Sequence, residues 1–503
     1  MIRSSLYTST DGPSEVGRWR PRIPTGSRLL ASSWPIVALL LVAPCGFKAT
    51  APVLVRSSEA HAQATVTAAT ADTLRLALSE AVAQALGNSV QLAAMEAMRR
   101  GADAAARGAR AAGLPLLELS AGYTRYSDIP AFVLTLPGGR PQSIAPNIPD
   151  NWRTRASVSF PLFTGGRIAG AAAAARAESD AAGGDLAAAR ADLVLETTAA
   201  YWNLRLQTES ASVLGEALTA YESHLVDARH RADVGLAARS EVLAVEVERG
   251  RAELGRVQAE GAAAAAEENL RRLLGVGERV VIVAADQPAD EQADRQPVAG
   301  AGPTVSINTP ALDSLVAMAL AARPEREALA SRVAAAEARV RSERGARQPQ
   351  LAAVAGYDYA NPNRRITPAQ AAWKESWDAS VNLSLPLFDS GRISAATERA
   401  RAQAEALRQQ AIDLDRRIRL DVTLRVIERR TALEAVTVSE RAVDAARENE
   451  KVTRDRYREG VASSSELLDA EVKSLRAALD RTDAQARLLL ARASLDRAVG
   501  MLR

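Results

Sequence analysis

Residues 151–168 read NWRTRASVSFPLFTGGRI, and residues 376–393 read SWDASVNLSLPLFDSGRI. The two stretches belong to a gapless match of 151–275 with 376–500 at a constant offset of 225. Trp152 falls on Trp377, Pro161-Leu162-Phe163 on Pro386-Leu387-Phe388, and Gly166-Arg167-Ile168 on Gly391-Arg392-Ile393. Further on, Gly235 falls on Gly460, Ser240-Glu241 on Ser465-Glu466, and Gly275 on Gly500. Upstream the match resumes at an offset of 234, with Pro115 on Pro349 and Gly122-Tyr123 on Gly356-Tyr357, so the first of two loops is nine residues longer. A repeat of this length is a whole supersecondary unit, beyond any small solenoid period. It argues for one duplicated body where 503 residues alone would suggest about three domains.

Each copy opens with two alternating runs. In the first, Leu117, Leu119, Ala121 and Tyr123 fall on one face, against Glu118, Ser120, Gly122 and Thr124. Then Trp152, Thr154, Ala156, Val158 and Phe160 oppose Arg153, Arg155, Ser157 and Ser159. In the second copy Leu351, Ala353, Ala355, Tyr357 and Tyr359 form one face, continued by Trp377, Ala379, Val381, Leu383 and Leu385. Period two with one apolar face is the strand signature. Each strand is roughly ten residues long, near what a tilted strand needs to cross a bilayer. Eleven of the nineteen aromatic residues lie in these two hairpin regions, with Trp152, Phe160, Phe163, Trp377 and Phe388 in or near strand ends. Membrane barrels carry such aromatic girdles, an apolar outside and a polar inside. The connecting segments, about 127–150 and 361–375, are rich in proline and glycine, as turns and extracellular loops are. Four strands cannot close around a lumen, and an open edge is not tolerated in lipid. A membrane barrel built from this chain therefore requires strands from other subunits.

The hairpins alternate with long proline-free stretches, Gly166–Arg231 and Gly391–Arg456, each a helical rod of roughly 100 Å. Each rod ends at a turn, Val234-Gly235-Leu236 and Glu459-Gly460-Val461, and a second helix runs back. Leu214, Leu218, Tyr221, Leu225 and Ala228 are spaced 4-3-4-3, and Leu468, Val472, Leu475 and Leu479 are spaced 4-3-4. These are heptad seams. The Ala171–Ala175 run reads either as a close helix approach or as plain alanine bias, and the cluster Asp413, Asp415, Arg416 and Arg417 as a solvated face.

Composition narrows the function classes. Lys and Arg total 63 against 60 Asp and Glu, with no basic block, so nucleic acid is not indicated. The one cysteine, Cys45, excludes a disulfide within the chain. Of three histidines, His61 lies in the leader, and His224 and His230 read as two solvated surface residues on different helix faces. No phosphate loop, zinc spacing or Ser/His/Asp set occurs, so no cofactor and no enzyme activity is expected. At the start, Arg18, Arg20, Arg22 and Arg28 precede the apolar run Trp34–Val42, and Ala60-His61-Ala62 precedes Gln63, the pattern of a secretory signal. Acylation on Cys45 after Pro44 is an alternative, as is an uncleaved anchor. The expected organisation is a leader over 1–62, a first repeat over 63–275 (hairpin 114–163, helical hairpin 166–273), a linker over 276–309, and a second repeat over 310–503 (hairpin 350–388, helical hairpin 391–500).

The order helix, β-hairpin, long helix, turn, helix, twice over, resembles the TolC family of outer-membrane efflux proteins. The carriers are Phe160-Pro161-Leu162-Phe163 with Gly166-Arg167, Leu385-Pro386-Leu387-Phe388 with Gly391-Arg392, and Arg456-Tyr457-Arg458-Glu459-Gly460 leading to Ser465-Glu466-Leu467-Leu468-Asp469-Ala470. The resemblance spans about residues 74–503. It implies a mainly α fold with a small β part, assembled as a homotrimer: a twelve-stranded β-barrel in the cell outer membrane continued by an α-helical barrel in the periplasm of a Gram-negative bacterium. It also implies a passive exit duct for an inner-membrane pump of RND, ABC or MFS type, reached through a periplasmic adaptor. Val234, Gly235, Leu236, Glu459, Gly460 and Val461 would be the tips the adaptor meets. Glu466 and Asp469, three apart on one helix face, would ring the periplasmic aperture with Tyr457 beside them. The family's best-known member has an arginine where this chain has Ala462, and Ala244 replaces the second acid in the first copy. A duct for type I protein secretion, within the same family, and a structural periplasmic coiled coil are the alternatives.

Overall fold

The computed structural model describes residues 72–134, 137–138, 142–277, 280–285 and 310–502. The leader readings, Cys45 and His61 included, lie outside these residues. The first copy contributes strand β1 (Asp72–Leu76), helices α1 (Leu78–Asn88) and α2 (Val90–Ala111), strands β2 (Leu116–Arg125), β3 (Phe132–Leu134), β4 (Gln142–Ala145) and β5 (Asp150–Phe163), and helices α3 (Arg167–Asp233) and α4 (Arg239–Leu274). After β6 (Val280–Ala284) come α5 (Pro310–Ala322), α6 (Pro324–Gly345), β7 (Gln350–Asn361), β8 (Lys374–Ser384), α7 (Arg392–Arg458) and α8 (Ser464–Val499). The duplication survives to the residue: α3 and α7 each have 67 residues, and α4 and α8 each have 36. At 1.5 Å per residue the long helices measure about 100 Å.

The four long strands form one antiparallel sheet in the order β2-β5-β7-β8. The join between copies is β5 on β7, with Thr154 opposite Tyr359 and Val158 opposite Ala355. Register puts Leu119 across from Ala156, Ala156 across from Tyr357, and Tyr357 across from Trp377, so the alternation of the four strands merges into one apolar face. That face is bare: Leu117, Leu119, Trp377 and Leu383 are each about 70% exposed. Arg153, Arg155, Asp358 and Asp378 lie on the opposite face. There Arg153 Nε donates to Asp358 at 2.6 Å, and Arg155 donates to Asp358 at 2.5 Å and to Asp378 at 3.0 Å. Gly356 leaves room for the last of these bonds, because a Cβ there would stand 2.3 Å from the Arg155 Nη2 that donates to Asp378.

Two short elements depart from the sequence reading. The longer first loop contains a hairpin of its own, β3 with β4. The segment expected to be a linker holds β6, which pairs in parallel with β1. Its run Val280-Val281-Ile282-Val283-Ala284 is continuous rather than alternating, the pattern of a parallel strand. Tyr201 on α3 fastens the pair from one side, its hydroxyl 2.9 Å from the Ala285 carbonyl and 3.2 Å from that of Leu76. Arg271 on α4 fastens it from the other, donating to the Val280 carbonyl at 2.9 Å, while Glu267 accepts from the Ile282 N–H. Around this knot lies the largest core, with Tyr201, Trp202, Leu270 and Leu274 buried.

The heptad seams pack as read. Tyr221 and Leu225 of α3 meet Val245 and Ala252 of α4 and Leu468 of α8, so one seam joins the two copies. On α4 the buried residues Val245, Ala252, Ala259 and Ala266 recur every seven positions. Of the Ala171–Ala175 run only Ala174 is buried. The close approach belongs instead to Gly170 and Gly184, where an added Cβ would stand 2.6 Å from the Ser342 nitrogen and 2.9 Å from the Ala328 Cβ of α6. In the charge cluster, Asp415 is engaged by Arg326 of α6 at 2.7 Å and Asp413 by Arg417.

Candidate functional site

The turn ends of the two helical hairpins are built alike. Gly235 and Gly460 have φ of +77° and +78°, the left-handed region that favours glycine. In each the next residue closes the turn, Leu236 N–H on the Arg231 carbonyl at 2.7 Å and Val461 N–H on the Arg456 carbonyl at 2.8 Å. The result presents Val234, Leu236 and Val461 to solvent, each at least 65% exposed. Glu459 is exposed beside them.

Behind the second turn, Ser463 caps α8, its hydroxyl accepting from the Glu466 N–H at 3.2 Å. Glu466 stands in the first helical turn, where the helix dipole favours a carboxylate. Both Glu466 and Asp469 are exposed, while Leu467, Leu468 and Ala470 between and beside them are buried. Tyr457 is not at the surface with them. It is 3% exposed and packs with Ala462 and Leu467. Burial pushes its phenol above the ordinary tyrosine value, with Arg231 opposing. The Arg231 guanidinium lies 3.9 Å from the Tyr457 ring centre and donates to its backbone carbonyl at 2.6 Å. A guanidinium over an aromatic face is a favourable cation–π contact.

His224 corrects the sequence reading. His230 is exposed, but His224 is buried, with Nδ1 2.8 Å from Glu471 Oε2 and Nε2 2.9 Å from the Ser464 hydroxyl. Its ring meets Tyr457 edge-on at 5.4 Å. Glu471 also accepts from Arg454 of α7 at 3.2 Å, and Arg454 pairs with Glu450. Burial, then the Glu471 carboxylate, pushes the neighbouring Tyr221 phenol well up. The signal for this cluster was present. Position 224 lies three after Tyr221 and four before Ala228, and 471 lies three after Leu468 and four before Leu475, so both polar residues flank a heptad seam, one residue before Leu225 and Val472. Among the described residues no three His, Cys, Asp or Glu side chains gather into a group able to hold a metal.

At the sheet, the aromatics form two levels. Tyr123 packs on Trp152 at 4.4 Å and Tyr357 lies across from Trp377, while Phe160, Phe163 and Phe388 lie toward the helices. Phe388 is 88% exposed, Trp152 and Phe163 about half, and Phe160 partly buried. From Trp152 to Phe163 is about 36 Å along the strand, or about 28 Å of height at a tilt of about 40°. That matches the roughly 25 Å apolar band of a membrane barrel. Among the described residues no helix is long and apolar enough to cross a membrane.

A sheet with one lipid-type face and one charged face, mounted on helical hairpins of about 100 Å, defines a subunit of a membrane channel. The chain belongs to the outer membrane efflux protein family, whose model matches residues 81–276 and 315–501. The family sets the sheet in the outer membrane and the helices in the periplasm. Protein CyaE of Bordetella pertussis is 30% identical over 256 residues, a match covering 51% of this chain and 50% of that protein; the chain thus spans about half the length of this curated relative. Among solved structures, CusC superposes with a TM-score of 0.70 at 18% identity, covering 84% of this chain and 92% of that one. VceC of Vibrio cholerae gives 0.67 at 20% identity, covering 84% and 96%. MtrE of Neisseria gonorrhoeae, solved in an open state, gives 0.67 at 19% identity, covering 84% and 88%. These likenesses establish the fold.

Proposed function

We propose that the chain is one third of a homotrimeric exit duct, which carries substrates passively across the outer membrane after an inner-membrane pump delivers them through a periplasmic adaptor. The observation that carries this reading is the four-stranded sheet with an apolar outer face and two edges, β2 and β8, that are unpaired among the described residues. Three copies supply a closed barrel without lipid-exposed edges. The exposed apolar turns at Val234, Leu236 and Val461 are the surface offered to the adaptor. Glu466 and Asp469 from each chain form the cation-attracting ring of the periplasmic aperture, as charged rings do in other pores. Tyr457 supports that ring from within the tip and does not line it.

Energy for transport comes from the pump, and the duct itself performs no chemistry. Purified protein reconstituted in planar bilayers is expected to give discrete conductance steps, and E466A/D469A is expected to lose cation preference and block by divalent cations. Absence of conductance from detergent-extracted wild type would sink the duct reading; an unchanged E466A/D469A channel would remove the aperture assignment alone. Cargo is separated by a deletion strain: sensitivity to small toxic compounds marks efflux, and loss of a secreted protein marks the secretion alternative.

A further inference from the structure

Ser464 and Glu471 are seven residues apart in α8, so at about 100° per residue they lie within about 20° of each other on the helix. Glu466 and Asp469 lie about 200° and 140° around from Ser464, on the opposite face. His224 of α3 holds both members of the first pair, one with each ring nitrogen. A planar ring bonded at two points therefore grips the two turns of α8 that carry the acids, from directly behind them. The grip is buried and backed on two sides: Glu471 is held from α7 by Arg454, itself paired with Glu450, and the imidazole rests against Tyr457 under Arg231.

The duplication supplies an internal control. In the first copy Arg229 pairs with Glu246 at the positions matching Arg454 and Glu471, but Arg229 is exposed and Glu246 only half-buried. The position matching Ser464 is Arg239, and the one matching His224 is Asn449, which is exposed. The first copy also has Ala244 in place of the second acid. The grip is built only on the helix that carries both acids, α8, with its histidine supplied by α3 of the first copy.

We propose that His224 is a positioning residue of the aperture: with Ser464 and Glu471 it sets the rotation of the first turns of α8, and so aims Glu466 and Asp469 at the lumen. This rests on the aperture reading above. A rotation of about 30° sweeps a side-chain tip by about 3 Å. Threefold symmetry repeats that shift in every chain, so a small rotation changes the whole ring.

Single-channel recording tests it on the full-length protein in planar bilayers, with Mg²⁺ as the blocking ion. H224A is expected to weaken block by about threefold or more and to reduce cation preference, as a ring several ångströms wider attracts less strongly. H224Q, which keeps one donor and one acceptor, is expected to recover at least half of the loss. In an E466A/D469A background H224A is expected to add nothing, since there is no charge left to aim. Where H224A fails to assemble, S464A removes one bond and is expected to give a smaller shift in the same direction. Wild-type block in correctly assembled H224A, or in S464A where H224A does not assemble, overturns the proposal. So does a further H224A effect without the two acids, which would mark a merely structural role. Loss of block in E466A/D469A alongside a silent H224A would leave the aperture standing and the grip refuted; an unchanged E466A/D469A would remove both.

Discussion

Gly183 and Gly184 are adjacent in α3 and have opposite surroundings. A Cβ on Gly184 meets the Ala328 Cβ at 2.9 Å and its backbone nitrogen at 3.0 Å, whereas a Cβ on Gly183 meets nothing within 4 Å. At Gly184 the helix backbones touch, and any larger side chain must push α6 away. G184L is expected to destabilise by about 1–3 kcal/mol, the usual cost of overpacking. G183A removes a flexible residue from a helix without a clash, and is expected to be neutral or to stabilise by up to about 1 kcal/mol. Thermal unfolding of the two purified variants checks both signs, and equal shifts would mean that the seam is looser than its geometry. The alanine run beside these residues was readable either as close packing or as bias. The contact resolves it: the glycines fourteen apart, Gly170 and Gly184, meet α6, and of the alanine run only Ala174 is buried. His224 was missed for a related reason. Heptads show in apolar residues, and a polar residue flanking a seam carries no hydropathy signal although it is buried beside it.

At the scale of elements, period-two alternation made the four long strands legible, and it limits their register to slips of two residues, because a one-residue slip would turn an apolar face inward; the pairing of β5 with β7 came from the structure. The five-residue strands β1 and β6 were not legible. They are too short to show a period, and their pairing joins segments about 200 residues apart. The β3–β4 hairpin was visible only as nine surplus residues. Among the described residues it pairs only with itself, outside the four-stranded sheet. Replacing residues 128–147 with a short turn is therefore expected to leave barrel assembly and conductance intact, as surface loops tolerate such change. The bond from Asn147 to Asp128 at 3.1 Å marks the neck at which to cut. Bilayer recording and detergent-resistant assembly of the deletion variant check this. A variant that inserts but conducts differently would make the hairpin part of the duct's outer mouth.

The whole molecule shows in its uncovered surfaces what it lacks. The unpaired edges β2 and β8 have counterparts among the helices. On α4, Leu243, Val247, Leu254 and Val257 follow 4-7-3 spacing with Gly250 filling the missing heptad position, and all four apolar residues are at least half exposed. On α7, Leu420, Leu424 and Ile427 follow 4-3 spacing and are also exposed. The other side of α4 already carries its own buried heptad against α3, so these residues form a second seam with no partner among the described residues. A coiled-coil seam left open at one flank and another at the opposite copy require the same closure as the strand edges, and threefold assembly supplies both at once. Charging the seam on α4 separates this from assembly through the sheet alone. L254E/V257E places two carboxylates per chain into each helix interface, where unpaired burial is costly. The variant is expected to purify as monomer, or as a trimer that dissociates at markedly lower temperature, by light scattering coupled to size exclusion. The exposed control E260Q, three residues after Val257, is expected to remain trimeric. If L254E/V257E assembles as stably as wild type, the α4 seam faces solvent or the adaptor, and the barrel strands hold the assembly by themselves.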